Sequence, residues 1–171
     1  VLMRLTDALI AFPSILLALV LVVVMGAGVA TVIIAIAAIR VPLFARTLRG
    51  SVLVEREREY VEAARSVGQR PALILLRHII PNVLAPVIVL ATTTLAGGII
   101  IEASLSFLGL GVSAPDVTWG GMLNSSRQYM QGYPWMTFFP GAALSVTVLG
   151  ANLLGDGLRD LMDPRLRTVL R

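Results

Sequence analysis

Long stretches of this chain carry no charge, and the lengths of the first two restrict the fold more than any other feature. Residues 8–39 are 32 consecutive uncharged positions, and residues 79–101 are another 23. A helix rises 1.5 Å per residue and a bilayer's hydrocarbon core is about 30 Å thick, so each run is long enough to cross a membrane. The composition agrees: 57% of the 171 residues are apolar and 14% are charged, against about 45–50% and 25% in a soluble domain. Within lipid every backbone polar group must be satisfied internally, which points to an all-α polytopic membrane protein. The absence of cysteine excludes disulfides, thiolate catalysis and Cys-based metal sites. All 14 basic residues are Arg and the formal net charge is +4. In a membrane protein such an excess reports sidedness rather than nucleic-acid binding.

The first run is too long for one upright span and short for two. Met25-Gly26-Ala27-Gly28 supplies a turn, predicting spans over 9–25 and 29–47; one long tilted helix is the alternative. It is not a conventional secretory signal, because it lacks a small-residue cleavage site and further spans follow. The start at Val1 points to a fragment. A third span is expected over 79–101, with Pro81 in its first turn and Pro86 bending it. A fourth is expected over 136–154. Between the last two, residues 103–135 read as a structured extracytoplasmic loop with a short helix near Met122–Met130, and Tyr129, Tyr133 and Trp135 suit the outer interface. The whole of 1–171 reads as a single transmembrane domain.

Residues 48–78 differ in kind. Six Arg and four Glu alternate there with Val54, Val61, Ala64, Val67, Leu73 and Leu76 at helical spacing. Gly68 and Pro71 divide the stretch into two short helices. Its Arg density makes it cytoplasmic, together with the N-terminal flank and the tail bearing Asp156, Arg159, Asp160, Asp163, Arg165, Arg167 and Arg171. Only Arg127 then lies outside.

Catalysis finds no support. His78 is the only histidine, and there is no His-Glu-x-x-His, Walker A or Gly-x-Ser-x-Gly motif. No catalytic, cofactor-binding or metal-ligating residue is expected in this chain. The informative stretch is YVEAARSVGQRPALILLRHIIP, residues 60–81. Glu62-Ala63-Ala64 places two small side chains on a short exposed helix that another protein can approach closely. An interfacial helix held on the inner leaflet by its Arg residues explains the same pattern.

The stretch resembles the cytoplasmic loop of permease subunits of bacterial ABC importers for dipeptides, oligopeptides and nickel. That family's motif is Glu-Ala-Ala, three residues, Gly, nine residues, Ile-x-Leu-Pro. Here Glu62, Ala63, Ala64, Gly68 and Pro81 match, whereas His78 replaces Ile and Ile80 replaces Leu. The Arg-His-Ile-Ile-Pro-Asn form is similar to the peptide and nickel branch, second-permease type. EASLSFLGLG (102–111), Trp119-Gly120 with Met122-Leu123, and Gly155-Asp156-Gly157-Leu158-Arg159-Asp160 with Asp163-Pro164-Arg165 extend the resemblance over the whole chain.

The resemblance implies a type I permease-like helical bundle in the bacterial cytoplasmic (inner) membrane, with four spans here and two further spans upstream missing. It implies alternating-access import of peptides, with ATP and Mg bound by two ABC ATPase subunits that dock at Glu62–Gly68. A sister permease and an extracytoplasmic solute-binding protein complete the expected partners, alongside membrane lipid and no nucleic acid. Nickel or a metal chelate is an alternative cargo, and a non-transporting scaffold is an alternative role.

Arg40 stands in an otherwise apolar helix, where charge is costly. It either lines the translocation path and holds an anionic substrate group, or pairs structurally near the headgroups or with another subunit. Thr93, in Thr92-Thr93-Thr94, is a second candidate for the path; helix packing is the other reading of that triplet and of Gly97-Gly98. Glu102 is expected to cap or anchor the third span. Asp156, Arg159 and Asp160 are expected to form a local ion-pair cluster.

Overall fold

The uncharged runs form helices, and the breaks between them fall where the chain cannot continue one. In the computed structural model, which describes residues 2–112 and 115–162, eight α-helices follow in order. They are α1 (Leu2–Ile10), α2 (Ser14–Met25), α3 (Val29–Arg56), α4 (Glu59–Ser66), α5 (Pro71–Ile74), α6 (Ile80–Phe107), α7 (Trp119–Ser126) and α8 (Trp135–Met162). A π turn at Leu75–Ile79 fuses α5 to α6, and a 3-10 turn at Arg127–Tyr129 follows α7.

Among the described residues three helical stretches are long and apolar enough to cross a bilayer: Val29–Arg56, Pro71–Phe107 and Trp135–Leu161. The first expected span, 9–25, is not one continuous helix. Met3–Ile10 and Ser14–Met25 reach span length only as a pair bent by 98°. Pro13, at φ −56° and ψ 127°, ends the register, and the 12 residues of α2 reach only about 18 Å. Beyond the bend α1 folds back on α3, where Arg46 Nη2 meets Asp7 Oδ1 at 2.6 Å. Between α2 and α3 the expected turn is present, with Gly26 at φ +86°, a conformation that favours glycine.

The remaining spans are longer than their apolar runs. The helix expected over 29–47 extends to Arg56, the one over 79–101 extends from Pro71 to Phe107, and the one over 136–154 covers 135–162. Hydropathy marks where a helix leaves lipid, whereas backbone bonding ends only where a breaker intervenes.

Helix α6 is central, packed against α3, α7 and α8. Small residues let the helices approach. Gly98 faces Ile36 of α3, and Gly155 of α8 sits over the Thr92–Thr93 backbone, where a Cβ would lie 3.3 Å from Thr93 N. Ala18, Val32, Ala35 and Leu105 form a buried cluster joining α2, α3 and α6. Most other apolar side chains point outward; Val24 is 77% exposed and Leu154 70%. Such a surface suits lipid or neighbouring subunits.

Candidate functional site: an elbow on α6 and a charged groove beside it

The sequence of α4 favours a short, stiff helix. Glu59 and Glu62 lie in its first turn and Arg65 in its last, each sign matched to the helix dipole. Gly68, at φ +77°, closes it: Gln69 N–H donates to Ala64 O at 3.1 Å and Gly68 N–H to Arg65 O at 2.9 Å. That pair of bonds satisfies carbonyls that a helix end leaves free. Pro71 then begins α5, where its missing N–H costs nothing.

Val61 and Ala64, three residues apart on α4, face inward. They form a buried cluster with Ile74, Ile79 and Val83, and Val52 of α3 packs against it. Glu62, Ala63 and Arg65 are exposed. The expectation that Ala63 and Ala64 share one exposed face is corrected. A step of about 100° per residue separates them, and Ala64 is 9% exposed. The small size of Ala64 lets α4 sit against Ile74, Ile79 and Val83, whereas Ala63 lies on the outer surface.

A polar latch closes the elbow. Tyr60 Oη donates to Glu55 Oε1 at the end of α3 and accepts from Asn82 Nδ2 of α6 at 3.1 Å. Asn82 Nδ2 also donates to His78 O at 2.8 Å, and His78 Nε2 lies 3.2 Å from Gln69 Oε1. Burial, and then the bond to Glu55, raise the Tyr60 phenol above its ordinary pKa of 10.0, so it is protonated and able to donate at neutral pH. Sequence reasoning missed this latch. His78 and Asn82 lie one helical turn apart, but Tyr60 and Gln69 reach them only through the turn at Gly68.

Pro81 lies in the first turn of α6 and is exposed. It has no N–H to donate, and its ring would crowd the Arg77 carbonyl of a regular helix. Immediately before it the backbone widens, with Ile80 N–H donating to Leu75 O, a π-type bond. The second half of the loop is therefore one rod with the span, Pro71–Phe107 over 37 residues, and not a separate short helix.

The Arg40 guanidinium lies against Gly97 of α6, where any Cβ would overlap Nη2. Its Nε is buried without a hydrogen-bond partner among the described residues. Arg40 lines a cavity of about 510 Å³ with Ile36, Thr94, Leu95, Glu102 and Trp119 among its walls. Thr93 is not brought to it. Nine residues separate Thr93 from Glu102, half a revolution of the helix, and its hydroxyl donates to Val89 O at 3.0 Å in its own helix.

Glu102 lies inside α6 rather than ending it. Its Oε1 accepts from Ser106 Oγ at 2.6 Å, and Ser106 Oγ in turn accepts from Val112 N at 3.3 Å. It anchors the loop that follows. Gly120 allows α7 to touch α6: a Cβ there would collide with the Ala103 carbonyl. Thr118 caps α7 by accepting from Gly121 N at 3.0 Å. Asp156, Arg159 and Asp160 form no ion pair with one another. Asp163-Pro164-Arg165, Arg167 and Arg171 lie outside the described residues. Among the described residues no cluster of three or more His, Asp or Glu side chains is placed to hold a metal.

Residues 1–168 match the family described as binding-protein-dependent transport system inner membrane component. Glutathione transport system permease proteins GsiD of Escherichia coli O1:K1, Shigella flexneri serotype 5b and Escherichia coli O157:H7 are each 48% identical over 165 residues. Each alignment covers 96% of this chain and 54% of the relative, so the chain spans about half the length of these relatives. With an all-α arrangement of long apolar helices and a family match over nearly its whole length, the chain belongs to the binding-protein-dependent transport system inner membrane components, multi-pass proteins of the inner membrane.

Proposed function

We propose that this chain forms the membrane-embedded part of an ATP-driven importer of small peptides, the class that includes glutathione. In this reading the elbow faces the cytoplasm, because nearly all the Arg residues gather on that side. ATPase subunits, which hold ATP and Mg, dock on the outer face of α4 around Glu62 and Ala63, with Gly68 setting the turn. A sister permease covers the exposed apolar faces, and an extracytoplasmic binding protein delivers the peptide. The chain itself performs no covalent chemistry and moves by rigid-body displacement.

The observation that carries the reading is the seat of α4. Val61 and Ala64 are packed onto Ile74, Ile79 and Val83, in or next to a rod that continues unbroken into the central span. A push on α4 is thereby delivered to α6 instead of being absorbed by a loose loop. The GsiD relatives, named as glutathione transport permeases, support a peptide cargo, and Arg40 supports a path between α3 and α6.

The test is uptake by the intact complex in ATP-loaded proteoliposomes supplied with its binding protein. ATP-dependent accumulation of labelled dipeptide or glutathione is expected. An assembled complex that accumulates neither, or that takes up only nickel, contradicts the proposal.

A further inference from the structure

The groove between α3 and α6 holds two opposite charges that do not satisfy each other. Arg40 stands 11 residues into α3, about 17 Å along a helix long and apolar enough to span a hydrocarbon core of about 30 Å. Its guanidinium is seated by the missing side chain of Gly97, and among the described residues its Nε is unpartnered and it joins no salt bridge. A charge at this depth needs a partner, and ionisable residues in spans mark ligand or ion paths. Glu102 opens on the same cavity. One of its oxygens is engaged by Ser106, and the other has no hydrogen-bond partner among the described residues.

Gly97, which seats the guanidinium, and Glu102 are five residues apart on α6, about 7.5 Å along the axis and about 140° around it. The two charges therefore stand apart on the wall, a separation that two or more extended peptide residues at about 3.5 Å each bridge. The rest of the cavity wall is mainly apolar, including Ile36, Leu95, Ile99 and Trp119, and about 510 Å³ lies within the usual range for small-ligand sites. We propose that this groove recognises the two termini of a short zwitterionic peptide, its carboxylate on Arg40 and its ammonium on Glu102. The site selects by charge spacing and leaves the side chains to the apolar wall, so it tolerates many sequences while disfavouring blocked peptides.

This inference rests on the importer reading above, and the experiment separates the two. The intact complex, without binding protein, is photolabelled with a dipeptide bearing a diazirine side chain, in competition with alanyl-alanine, its C-terminal amide or its N-acetyl form. Labelling is expected on α3 and α6, with the free dipeptide competing at least about tenfold better than either blocked form, the scale of one charge-assisted hydrogen bond. Arg40→Gln should abolish discrimination against the amide alone, and Arg40→Lys should retain it. Glu102→Gln, which keeps the oxygen that accepts from Ser106, should abolish discrimination against the acetylated form alone.

Unchanged preferences in both variants, or labelling elsewhere, overturn the site. So does failure of both Arg40 variants to assemble, which identifies Arg40 as a structural partner of the sister permease. Wild-type uptake of peptides alongside any of these results leaves the importer reading intact. Absence of both uptake and labelling in the wild type removes both.

Discussion

Ala63 and Ala64 are chemically identical neighbours with opposite tasks, and substituting each with Glu separates them. Ala64→Glu inserts a charge among Val61, Ile74, Ile79 and Val83, where desolvation is costly. It should lower the unfolding temperature of the protein and loosen α4. Ala63→Glu alters an exposed position and should leave the unfolding temperature within about 1–2 °C, because surface changes are usually near-neutral. Equal destabilisation by the two, in a thermal denaturation assay, would contradict the inward seat of Ala64. Gly68→Val forces a β-branched residue to φ +77°, at about 1–2 kcal/mol or more, and should speed proteolysis at the α4–α5 turn. The sequence revealed that small residues and a turn glycine were present. Which alanine faces inward depends on what lies beneath α4, and that surface comes from α3, α5 and α6.

The elements were legible in type and less so in extent. Four apolar runs and the amphipathic loop stood out, yet α3, α6 and α8 all extend beyond them, because a helix continues into water until a breaker stops it. Pro13 is the breaker that the composition of residues 8–39 concealed, since proline carries no charge to interrupt an uncharged run. The latch at the elbow was illegible for another reason: its members meet only after the Gly68 turn folds back. Tyr60→Phe removes the bonds to Glu55 and Asn82 and should cost about 1 kcal/mol at this part-exposed site. Amide hydrogen exchange in α4 should rise accordingly, with wild-type protection contradicting the latch. The raised phenol pKa stabilises the folded state below pH 10. That contribution should disappear as pH rises from about 10 through the higher folded value.

At the scale of the whole molecule, the proposed function requires α4 and the outer loop to lie on opposite faces of the membrane and α4 to drive α6. The chain contains no cysteine, so reporters can be placed cleanly. Ser66→Cys and Val117→Cys both occupy exposed positions. A membrane-impermeant thiol reagent applied to intact cells should label residue 117 alone, and labelling at 66 would reverse the topology. The family relationship was legible from ordered motifs along the chain, whereas the seating of Arg40 against Gly97, in a cavity that Glu102 also lines, was not, because it depends on the crossing of α3 and α6. The most direct test of the central claim is ATP hydrolysis by the intact reconstituted complex, with and without loaded binding protein, in the Ala63→Glu variant. Retained association with the sister permease and loss of the stimulated rate are predicted. Wild-type stimulation with the ATPase subunits still bound would contradict coupling through the outer face of α4.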